Sequence, residues 1–142
     1  MSDVVDSARL PAEPAEQTTA PTTDHATVHD VCGASDVPID RGVAALVDGV
    51  AIAVFRLSPA SADEPEEWFA IAHHDPVTGA PVMARGLVGS VTDQAGPVPT
   101  VASPLHKQRY NLRTGQCLDD PTLSVSTFPV RITNGRVRIS VP

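Results

Sequence analysis

From Val37 onward the chain is built of short apolar runs, three to eight residues long, separated by Gly, Pro, Asn, Asp and Ser. Two of these junctions are diagnostic. Residues 43–47 and 50–57 are apolar on either side of Asp48-Gly49, and residues 130–133 and 136–141 alternate on either side of Asn134-Gly135. A two-residue type I′ turn needs positive φ at both central positions, which Asp-Gly and Asn-Gly tolerate, so each junction predicts an antiparallel hairpin. In the second, the period-2 pattern turns Val130, Ile132, Val137, Ile139 and Val141 inward and the arginines outward. Further strands are expected at 68–71, 87–91, 100–102, 110–112 and 123–125, with Trp68 as a core residue opening the first of them. Residues 58–67, rich in Ser, Pro, Asp and Glu, read as a solvated loop. No stretch has the apolar period and caps of an amphipathic helix, so the expectation is an all-β sandwich or barrel of short antiparallel strands.

The first thirty residues differ in texture. They mix Pro, Ala, Thr, Asp and Glu without periodicity, which predicts a disordered acidic tail over 1–30 and one β domain over 31–142, with His25 and His29 in the tail. The formal charge of −7 follows the same division. Six acids against one arginine fall in the tail, residues 31–83 sum to −6, and residues 84–142 to +4. The last segment predicts a basic side made by Arg85, Lys107, Arg109, Arg113, Arg131, Arg136 and Arg138. An acidic total argues against a nucleic-acid partner, which demands dense Lys and Arg to displace counterions. The acidic start lacks a signal peptide's basic and apolar regions, and no run approaches the length of a membrane helix. A cytoplasmic protein with Cys32 and Cys117 kept reduced is expected.

Two loops carry the candidate chemistry. One is Ala70-Ile71-Ala72-His73-His74-Asp75-Pro76-Val77-Thr78-Gly79-Ala80; the other is Val101-Ala102-Ser103-Pro104-Leu105-His106-Lys107-Gln108-Arg109, continuing through Leu112-Arg113-Thr114-Gly115. Together they resemble the two cluster-binding loops of Rieske domains, where one loop offers Cys-x-His and the other Cys-Pro-x-His. A Rieske centre needs two Cys thiolates on one iron and two His imidazoles on the other. Position by position, Asp75 stands for the first Cys, Val77 for the first His and Ser103 for the second Cys, while His106 alone is retained. Neither Cys32 nor Cys117 has a neighbouring His at ligand spacing. With the loops kept and the ligands lost, and with Arg85 to Gly89, Gln116 to Pro121 and Phe128 to Arg131 in agreement, residues 31–141 resemble the small subunits of NADH-dependent nitrite reductases.

That resemblance implies a Rieske-like β fold and a cofactor-free subunit with no active site of its own. It also implies a large partner subunit carrying FAD, sirohaem and an iron–sulfur cluster, which reduces nitrite to ammonium. The alternative is a Rieske-type ferredoxin or other metal-binding electron carrier. Three roles are open for the loop residues. Asp75 or His106 brace the loops by hydrogen bonds in place of iron; or His73, His74, Asp75, Pro76, His106, Lys107 and Arg109 form a docking face; or His73, His74 and His106 bind a single metal ion, against which adjacent histidines on an extended segment point apart. Ser103 has no identifiable base, so no catalytic residue is assigned.

Overall fold

The structure, a computed structural model, describes residues 27–59 and 61–142. Residues 1–26 of the tail expected over 1–30 therefore lie outside the described residues. Within them the strands are β1 Thr27–Gly33, β2 Arg41–Val47, β3 Val50–Leu57, β4 Glu67–Ala72, β5 Leu87–Asp93, β6 Gly96–Ala102, β7 Arg109–Asn111, β8 Thr127–Phe128, β9 Val130–Thr133 and β10 Arg136–Val141. Short 3-10 turns at Ala34–Asp36 and Met83–Arg85 are the helical elements among the described residues.

A central antiparallel sheet, ordered β2-β3-β4-β8, lies between two three-stranded sheets, β1-β10-β9 and β5-β6-β7. The sequence of β3 explains the layering. Its side chains alternate faces, yet both sets are apolar: Ile52 and Val54 pack with Ala70, Val137, Ile139 and Val141, whereas Ala53, Phe55 and Leu57 pack with Ile71, Val101, Tyr110 and Leu112. A strand apolar on both faces has to be covered on both, and each large side chain removed from water contributes about 2 kcal/mol. Trp68 packs at the edge of the first cluster, with the Arg56 guanidinium 5.6 Å from its ring centre.

Both anticipated hairpins form. Asp48 and Gly49 have φ of 51° and 80°, and Asn134 and Gly135 have 54° and 74°, as type I′ turns require. Other expectations need correction. Residues 27–30, expected within the tail, lie in β1, where Thr27 to Gly33 pair with β10 and place His29 opposite Ile139. Strand β6 starts at Gly96, earlier than expected; Pro97 and Pro99 obscure it in sequence, and β7 pairs only with its last three residues. Residues 123–125 make no regular strand, only the bridge Gln116↔Ser124, and the central sheet's edge is instead the two-residue β8. Ile132 is exposed because it sits on the outer strand β9, next to the turn, beyond the reach of the facing sheet.

The basic side is not a field of unpaired cations. Arg109 pairs with Asp119 at 2.9 Å, Arg113 with Glu67 at 2.9 Å, and Arg136 with Asp30 at 2.9 Å, with Arg138 at 3.7 Å from the same carboxylate. Folding interleaves acids from distant segments with these arginines, so the division of charge along the sequence does not persist in space.

Candidate functional site

The two loops leave the same end of neighbouring layers, one after β4 and one after β6, and each begins with a turn of the same kind. The Asp75 carbonyl accepts the Gly79 amide at 2.7 Å while its Oδ1 accepts the amides of Val77 at 2.7 Å and Thr78 at 3.2 Å. The Ser103 carbonyl accepts the Lys107 amide at 2.9 Å while its Oγ accepts the Leu105 amide at 3.3 Å. In both, the residue four positions on has positive φ, 79° at Gly79 and 64° at Lys107. A third copy follows β7, where Asn111 accepts from Gly115 through its carbonyl and from Arg113 and Thr114 through its side chain, and Gly115 has φ of 82°. The turn aims backbone N–H groups at whatever atom its first residue presents.

At the paired loops those atoms are oxygens, and they bond to each other. Ser103 Oγ donates to Asp75 Oδ2 in a buried contact that ties the loops across 28 residues of sequence. Asp75 is 0% exposed and Ser103 1%. Burial alone would raise the Asp75 pKa. The Ser103 hydroxyl, the Val77 and Thr78 amides and the charge of His106 outweigh it, holding the carboxyl below its ordinary value of 3.8. Tyr110 on β7, fully buried opposite Val101, has a hydroxyl with no hydrogen-bond partner among the described residues, and its pKa is pushed up to about 12, first by burial and then by Cys117, Asp75 and Asp120.

Of Asp75 and His106, Asp75 makes the hydrogen bonds that join the loops, accepting from the Val77 and Thr78 amides and from Ser103 Oγ. His106 is exposed, and its bearing on the pair is electrostatic. The histidine metal site is not assembled. His73 Nδ1 accepts the Ala84 amide at 3.2 Å, the His73 and His74 rings lie edge-on with centroids 6.5 Å apart, and no cluster of three or more His, Cys, Asp or Glu suited to a metal occurs among the described residues. Burial, then His74 and Arg85, lower the His73 pKa, in keeping with a neutral ring that accepts a hydrogen bond. Of the anticipated docking residues, His74, Pro76, His106 and Lys107 are exposed, Asp75 is buried, His73 is partly covered, and Arg109 is exposed but tied to Asp119.

Three layers of antiparallel sheet with two paired loops at one end define a Rieske-like domain, and residues 27–140 match the family model for the Rieske-like [2Fe-2S] domain. The cluster that gives the family its name takes two thiolates and two imidazoles, whereas at the meeting of these loops the Asp75 and Ser103 oxygens satisfy one another, Val77 has no ligating atom and neither loop holds a cysteine. The residues present do not fit the cluster. Within that class the chain belongs to the family of NADH nitrite reductase small subunits. It is 34% identical over 110 residues to the small subunit of NADH nitrite reductase from Escherichia coli K12, covering 78% of this chain and 94% of that protein. A crystal structure from Mycobacterium tuberculosis, thought to be of an NADH-dependent nitrite reductase small subunit, superposes with a TM-score of 0.71 at 37% identity, over 84% of this chain and 98% of that one. A stretch making up 10% of a Klebsiella oxytoca NAD(P)H nitrite reductase large subunit is also 34% identical, over 107 residues and 75% of this chain.

Proposed function

We propose that this chain is the cofactor-free small subunit of a cytoplasmic NADH-dependent nitrite reductase, which reduces nitrite to ammonium in nitrate assimilation. Its partner is the large subunit, which holds the FAD, sirohaem and iron–sulfur cluster. The carrying observation is the hydrogen bond from Ser103 to Asp75, which occupies the two thiolate positions with a self-satisfied oxygen pair. A domain so built supplies no electron relay; it acts by binding. A partner that binds only the folded, competent form of the large subunit stabilises that form by mass action. The Klebsiella relative supports the pairing, since there a matching domain shares one polypeptide with the large subunit. Two unpaired cysteines, Cys32 and Cys117, agree with a reducing compartment.

Reconstitution tests this reading. NADH-dependent nitrite reduction by the purified large subunit is expected to rise, or to survive longer at assay temperature, when the chain is added, and the two proteins are expected to co-elute. No association and no change in rate or lifetime would dismiss the proposal.

A further inference from the structure

We propose that the outer end of the two loops is a docking surface for an acidic patch with an apolar centre on the large nitrite reductase subunit, an inference that rests on the partnership above. The centre of the surface is apolar. Val77 is 46% exposed, Leu105 47% and Leu87 78%. Val77 and Leu105 lie together, since their amides bond to the two side chains of the Asp75–Ser103 pair, and Leu87 flanks them on β5, paired with Ala102, the residue before Ser103. Pro76 and Pro104, both exposed, extend it with side chains already fixed in conformation, so little entropy is lost on contact. Single exposed apolar residues are unremarkable, but a contiguous group at one end of a β scaffold marks an interaction site.

The rim sets the partner's sign. Residues 72–92 contain a single acid, Asp75, which is buried and bound, and residues 101–109 contain none. Lys107 and Arg85 are exposed at this end, Lys107 displayed by the positive φ of its turn and Arg85 on the 3-10 turn whose amides bond to His73. A cationic rim on a chain of net charge −7 favours approach of an acidic surface by this end and repels it elsewhere. The Asp75–Ser103 tie holds the two halves of the surface in one geometry without any metal.

Calorimetric titration of the full chain into the cofactor-loaded large subunit, at about 0.05 M and about 0.3 M salt, tests this. Wild-type binding is expected to weaken with salt. Lys107→Glu combined with Arg85→Glu, and separately Leu105→Asp, are expected to weaken low-salt binding by about tenfold or more, and the charge reversal to flatten the salt dependence. Leu46→Asp, at an exposed apolar position on edge strand β2, serves as the control and is expected to stay within about twofold of wild type. Unchanged melting temperatures confirm that the variants fold. A complex that forms equally well with the loop-end variants overturns the docking face while leaving the partnership intact. Absence of any wild-type complex overturns both.

Discussion

Asp75 and Ser103 each head a turn of the same kind, and their chemistry suits it. Each turn supplies amide donors to its first side chain, and a carboxylate or hydroxyl oxygen accepts them as readily as a thiolate does. Ser103→Ala removes the buried donor to Asp75 and is expected to lower stability by about 2 kcal/mol, measured by urea melts at neutral pH. The sign of the pH dependence follows from the lowered Asp75 pKa. A carboxyl whose folded value lies under its unfolded one stabilises above the unfolded value, and that contribution fades as pH falls through the folded value. The gap between wild type and Ser103→Ala should therefore be constant above about pH 5 and close below the ordinary carboxylate value of 3.8. A gap that widens on acidification would refute the assignment. Tyr110→Phe is expected to leave stability unchanged or raise it, because the hydroxyl removed is buried and without a described partner; a loss above about 1 kcal/mol in the same melts would point to a bond not seen here. That three of the four positions suggested by the Rieske resemblance carry Asp75, Val77 and Ser103 was legible in the sequence, since it needs only residue identities. The tie between Asp75 and Ser103 was not, because two polar residues 28 apart bond only once the strands β4 and β6 bring their loops together.

Hairpins were the most legible elements, for their turns write their own φ requirement into Asp48-Gly49 and Asn134-Gly135. The less regular pieces escaped. Strand β6 hides behind Pro97 and Pro99, and the 123–125 run, apolar enough for a strand, is spent on packing: Val125 enters the core while its amide donates to the Gly115 carbonyl at 2.8 Å. That contact makes Gly115 more constrained than Gly79, the glycine at the matching position of the first turn. Gly115 has φ of 82°, and a Cβ there would lie 2.0 Å from the Val125 carbonyl oxygen. Gly115→Ala combines left-handed strain with a backbone clash and is expected to cost about 3 kcal/mol by thermal or urea melts. Gly79→Ala, with φ of 79° but nothing within 4 Å, should cost only the conformational part, about 1 kcal/mol. Equal costs would contradict the packing described for the third turn.

Three sheets stacked around a doubly apolar β3 make a scaffold that presents two loops at one end, tied to each other by the Ser103–Asp75 hydrogen bond. The all-β class could be read from run lengths and turn residues, but the layering could not, because alternation tells that β3 is covered on both faces without telling by what. Charge misled at this scale, since residues far apart in sequence neutralise one another as Arg113 does with Glu67 and Arg136 with Asp30. What distinguishes a subunit that binds from one that relays electrons is the content of the loop end. The direct measurement is iron and acid-labile sulfide in the chain purified anaerobically from iron-replete cells. Well under one iron per chain and no sulfide are predicted, whereas about two of each per chain would mean that a cluster is held after all and the Asp75–Ser103 tie is not what closes the loops.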